Sequence, residues 1–104
     1  MRSRITTLPS GGAPPGSEAI SPAAAGAGDR WVLQWTEGTT GQHDVRIQTL
    51  DSTLAPVGDP VTVSPRGANA GQGVVWVHGE RGVSLFLVTN GRSHELWGAA
   101  LKCQ

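Results

Sequence analysis

Cysteine is almost missing from this chain. Cys103 stands alone, which excludes an intramolecular disulfide and any multi-cysteine metal cluster. Charge of one sign is not in excess either, since eight Lys plus Arg face eight Asp plus Glu. A neutral balance gives no electrostatic reason to bind nucleic acid or an anionic membrane. No apolar window approaches the length that spans a bilayer. The N-terminal stretch MRSRITTLPSGGAPPG has two early arginines but no apolar run of about seven residues, so it does not read as a secretory signal, and no compartment is implied. Nowhere do apolar residues hold a helical spacing before Gly or Pro interrupts them. Tyrosine is absent and phenylalanine occurs once, against four tryptophans. Residues of that size are expected in a core or an interface.

What is present is punctuation and alternation. Gly and Pro supply 15 and 7 of the 104 residues, high for a globular chain yet short of the roughly 25–30% that marks low complexity. At this length one core is the limit, with about two thirds of the unfolded surface available for burial. The spacing predicts an all-β chain of antiparallel meanders. Trp31 to Glu37 alternates, with Trp31, Leu33 and Trp35 predicted on the inner face. The turn GTTGQ leads to Asp44–Leu50, which alternates again, so the two strands form a hairpin. Val61–Val63, flanked by prolines, reads as a short edge strand. The turn-rich segment from Gly73 to Leu101 then gives three apolar runs, Val74–His78, Val83–Thr89 and Glu95–Leu101. The middle run is apolar at nearly every position, as suits a strand covered on both faces.

The N-terminal 28 residues differ in composition. Pro9 to Gly28 is rich in Ala, Gly, Pro and Ser and reads as a flexible linker, within which Glu18 to Ala23 can form an irregular strand. Arg4–Leu8 (RITTL) is a candidate edge strand stopped by Pro9. The expected division is residues 1–28 as a flexible segment and 29–104 as the β domain.

Within that domain two segments align at an offset of about fifty residues. Gly28-Asp29-Arg30 precedes one strand as Gly79-Glu80-Arg81 precedes another, and His43-Asp44 opens the following strand as His94-Glu95 does. The repeats run over about 29–65 and 66–102. With the phrase VRIQTLDSTLAPVGDPVTVS at residues 45–64, this pattern resembles bacterial β-propeller repeats. The resemblance implies about two propeller-like blades, the second lacking its outer strand unless Arg4–Leu8 supplies it, and a C-terminal fragment of a larger repeat protein. A closed propeller needs at least four blades, so packing against further blades or self-association is expected. A small β-sandwich is the alternative arrangement.

Chemistry is harder to find. His43-Asp44 and His94-Glu95 have the composition of acid/base dyads, but neighbours in a strand point to opposite faces, and their recurrence favours a structural role. His78 and Glu80 can share a face, but no third metal ligand follows. No nucleophile elbow, phosphate loop, zinc pattern or calcium loop occurs. No cofactor or metal is therefore expected. The loop Gly67–Gly73 offers the amides of Asn69 and Gln72, and these two with His78 are the ligand-binding candidates, although Gly, Ala and Asn also suit a tight loop. The expectation is a non-catalytic binding or scaffold module for a protein or glycan ligand; a fragment of a propeller-bearing hydrolase is the alternative.

Overall fold

A computed structural model describes residues 18–102 as seven antiparallel strands in two sheets. The first sheet is a meander of β1 (Glu18–Ala27), β2 (Arg30–Thr39), β3 (Gln42–Leu50) and β4 (Pro56–Thr62) in that order. The second is a meander of β5 (Asn69–His78), β6 (Arg81–Asn90) and β7 (Ser93–Lys102). The chain is all-β, as its alternation predicts. Arg4–Leu8 lies outside the described residues.

Several boundaries differ from the sequence reading, each for a local reason. Within the segment read as linker, residues 18–27 form β1, longer than the irregular strand expected over Glu18–Ala23, pairing from Glu18↔Gly38 to Ala27↔Arg30. Its small residues hide the alternation, and the Trp31 ring of the neighbouring strand lies over Gly26, 3.6 Å from where a Cβ would sit, an ordinary contact distance. The outer strand β4 begins at Pro56, not Val61. Gly58 has φ 72°, and the buried Gln48 side chain donates from Nε2 to Val57 O and Gly58 O at 3.1 and 3.0 Å, holding the irregular backbone to β3. The loop assigned to Gly67–Gly73 is mostly strand, because β5 starts at Asn69 and carries a bulge between Gly71 and Val74 with Gln72 at φ 51°.

The sheets stack face to face. Val32, Gln34, Thr36, Val45 and Ile47 point inward from the first sheet, opposed by Ser84, Phe86 and Val88 from the second. Val45, Ala70, Phe86 and Val88 form the core cluster. This reverses the facing predicted for β2, whose inner face is Val32, Gln34 and Thr36 while Trp31, Leu33 and Trp35 lie on the outer face. Nor do the four tryptophans build the core. Trp31, Trp76 and Trp97 are each more than two-fifths exposed. Trp31 and Trp76 stand on faces that no third sheet covers among the described residues, and Trp97, on the same face as its cross-strand partner Phe86, lines a recess and donates its indole N–H to Glu95. Val83 and Leu85 of the apolar middle strand are likewise covered on one side only.

At the centre of the seam the Ser84 hydroxyl donates to Gln34 Oε1, both side chains being fully buried. The Gln34 amide nitrogen has no partner and packs against Gly73, where any Cβ would collide with it. A polar pair with one unpaired donor is costly. Ser84→Ala is expected to cost about 1–3 kcal/mol by stranding the Gln34 carbonyl, whereas Gln34→Leu/Ser84→Ala together is expected to be within about 1 kcal/mol of the parent or above it, since both polar groups leave. Urea unfolding of the two single variants and the double variant reads this, and a double variant less stable than Ser84→Ala would refute it.

The β3–β4 connection is closed by Asp51. Its Oδ1 accepts from Thr53 Oγ1 at 2.7 Å, Thr53 N at 2.8 Å and Ala55 N at 3.0 Å. The Thr53 hydroxyl, then the Ala55 and Thr53 amides, hold its carboxyl below the usual 3.8. Because the folded value is the lower one, the contribution is complete above 3.8 and is lost as pH falls through the folded value. NMR titration of the Asp51 carboxyl is expected to give a midpoint below 3.8, returning toward it in Thr53→Val.

Candidate functional site

One end of the molecule gathers the polar side chains. The antiparallel registers bring Thr39, Gln42, Asn69, Asn90 and Ser93 to that end, so the β2–β3 and β6–β7 turns lie beside the start of β5. The turns follow from the glycines. Gly91 takes φ 63° at the first loop position, the II′ arrangement that matches strand twist, and Gly41 takes φ 83° at the second.

Here a cleft of about 220 Å³ opens around β5, lined by Ile20, Ser21, Thr36, His43, Asn69, Gln72, Leu87, Thr89 and His94, with Ala70 and Gly71 at its floor. Two irregularities shape it. Ser21 and Gln72 both have positive φ, 54° and 51°, at the bulges of β1 and β5; a non-glycine residue in that region is uncommon and marks a local constraint. Asn69 Oδ1 accepts from the His43 backbone N–H at 3.0 Å, tying the second sheet to the β2–β3 hairpin. Thr89 Oγ1 lies 3.2 Å from His94 Nδ1. A second recess, of about 400 Å³, adjoins on the other side of Asn69, between the Pro65–Ala68 segment and Asn90, Glu95 and Trp97.

Of the residues singled out from sequence, Asn69 and Gln72 line the cleft together. His78 does not join them. It stands at the opposite end of β5, about 30 Å along the strand at ~3.3 Å per residue, stacked on Trp76 with ring centroids 5.8 Å apart and planes 6° from parallel. His43 and His94, read as structural, both line the cleft. Their acidic neighbours turn away from them: Glu95 accepts from Asn90 and Trp97, and Asp44 from the Ser64 hydroxyl at 3.4 Å. Among the described residues no group of three or more His, Cys, Asp or Glu is placed to hold a metal ion.

Ser21 was not among the residues singled out from sequence; it sits in the irregular strand expected over Glu18–Ala23 within the linker-like segment. A signal existed, because Ser21 and Gln72 are 51 residues apart, as are His43 and His94. The cleft therefore offers hydroxyl, amide and imidazole groups with Ile20 and Leu87 as apolar wall, and no carboxylate lines it. Such a surface suits hydrogen bonding to a neutral ligand. No protein-family model matches the chain, and no curated protein or solved structure is significantly similar to it.

Asn69 holds the cleft's two sides together. Asn69→Ala is expected to cost about 1 kcal/mol and to speed hydrogen exchange at the His43 amide, while Asn69→Asp retains the acceptor and the protection. Equal exchange rates in the two variants would show that the bond does not anchor the hairpin.

Proposed function

We propose that the chain is a non-catalytic repeat module of the propeller type, and that its cleft receives a neutral polar ligand, a glycan or a peptide segment. The observation that carries this reading is the pairing of cleft residues across the two sheets: Ser21 with Gln72 and His43 with His94, each 51 residues apart and each contributing to the same opening. The strands support the same interval. β1, β2 and β3 begin at 18, 30 and 42, and β5, β6 and β7 at 69, 81 and 93. Two copies of one blade-like unit, stacked side by side, bring equivalent loops to one end, where a ligand can touch both.

The lining supports binding over turnover. Acid/base work needs a group aligned and tuned by a neighbour, and here the carboxylates next to the histidines are engaged with Ser64, Asn90 and Trp97. Neutral amide and hydroxyl groups on a strand-supported wall are the means by which a binding site orients a ligand.

An NMR titration with a panel of neutral mono- and disaccharides, and separately with short uncharged peptides, tests the reading. Amide shifts are expected at His43, Asn69, Gln72 and His94, with affinity weakened about tenfold in Gln72→Ala through loss of one or two hydrogen bonds. Shifts confined to the Trp76–His78 surface would move the site. Release of nitrophenol from nitrophenyl glycosides or esters, lost in His43→Ala and His94→Ala with folding intact, would make the chain part of a hydrolase instead.

A further inference from the structure

The seam between the sheets is not symmetric. Carried forward by 51 residues, the inner face of the first sheet falls on the outer face of the second: Val32 on Val83, Gln34 on Leu85, Val45 on Leu96. Carried back, the inner face of the second falls on the outer face of the first: Ser84 on Leu33 and Phe86 on Trp35. The front of one sheet thus meets the back of the next, a heterologous contact that leaves one front and one back unused.

The unused face of the second sheet is apolar, and that of the first carries the exposed Trp31 and the half-buried Leu33 and Trp35 alongside Arg46 and Gln48. Val32, Gln34 and Val45 are 2%, 1% and 0% exposed, while their counterparts Val83, Leu85 and Leu96 are 38%, 38% and 72% exposed. Val74 and Trp76, beside them on the same face, are 58% and 62% exposed. A patch of five large apolar side chains on one sheet is an interaction surface by its chemistry, and the seam already present within the chain says what fits it.

We infer that the outer face of β5-β6-β7 receives the outer face of β1-β2-β3 from a second copy of this chain, repeating between molecules the packing seen within one. The register is specific. Leu85 meets Leu33 of the second copy, in the place where Gln34 meets Ser84 inside the chain, and Leu96 meets Trp35, as Val45 meets Phe86. A front-to-back contact either closes into a ring or runs on as a filament. With two sheets per chain and four to eight blades in known closed arrays, a ring holds about two to four copies. This inference rests on the repeat reading above but not on the ligand.

Sedimentation and cross-linking test it on the full chain, with Cys103→Ser as the background. The parent is expected to sediment as a discrete species of about two to four copies, and Leu85→Glu as a monomer with an unchanged far-ultraviolet spectrum, its association weakened about 100-fold or more. Leu33→Cys/Leu85→Cys is expected to oxidise into covalent oligomers, whereas each single cysteine variant is not; within one molecule the two positions lie on opposite outer faces and cannot join. A parent that is monomeric at high micromolar concentration overturns the inference, as does a disulfide dimer formed by Leu85→Cys alone, which would mean a two-fold contact of like faces. Backbone NMR distinguishes the failures: if β1 and β5 keep their matching bulges and no assembly forms, only the assembly falls, and if the bulges do not match, the repeat falls with it.

Discussion

The contact that the rest of the structure depends on is the seam at Gln34 and Ser84. A two-sheet stack needs its facing side chains to interlock in one arrangement, and because apolar contacts are non-directional a buried hydrogen bond fixes that arrangement more sharply. Here a hydroxyl of β6 donates to an amide oxygen of β2 at a depth where an unmade bond is costly. Sliding one sheet along the other breaks it. Gly73 completes the arrangement, since a side chain there would displace the Gln34 amide. The bulge beside it, with Gln72 in the left-handed region, forms one wall of the cleft. Core register and cleft geometry therefore share the same few residues.

This coupling explains why the polar end of the molecule is ordered without a dedicated framework. β5 packs against β1, β2 and β3 at once, so its first residues are held by the first sheet while their side chains line the opening. Asn69 stands between two recesses, and its side-chain carbonyl accepts from the His43 backbone N–H. A site built on strands in this way is positioned more firmly than one on a free loop.

Much of the fold was legible in the sequence because strands announce themselves by alternation. β2, β3, β6 and β7 follow the alternating or apolar runs, with ends extended by at most two residues. Alternation names two faces without saying which is covered, and the preference for burying the larger apolar side chains chose wrongly at Trp31, Leu33 and Trp35. Of β1 the sequence suggested only an irregular strand over Glu18–Ala23, because Ala, Gly and Pro carry no alternation; its continuation to Ala27 and its pairing with β2 are set by tertiary context. In the cleft, Asn69 and Gln72 were found through their glycine-rich surroundings, and His78 was not brought to them because strand direction separates the two ends of β5. His43 and His94 were seen but set aside as periodic. Both nonetheless line one opening, each as the second residue of its strand.

The same reasoning bears on why the seam within the chain is polar at its centre while the contact proposed between copies is apolar. Two sheets on one polypeptide are already at high effective concentration, so the inner contact has no association entropy to overcome and can hold a hydrogen-bonded pair with an unsatisfied nitrogen. Separate molecules lose translational and rotational freedom on meeting, a cost of roughly 4–15 kcal/mol. A contact facing that cost needs anchors that gain from leaving water, and burying a leucine contributes about 1.5–3 kcal/mol where a neutral hydrogen bond nets about 1. Leucine at 33 and 85, where the inner seam has serine at 84 and glutamine at 34, is the substitution pattern that difference requires. Tryptophans standing on the same outer faces, at 31, 35 and 76, follow from it as well, because large aromatic side chains supply the most buried area for each position committed to a contact.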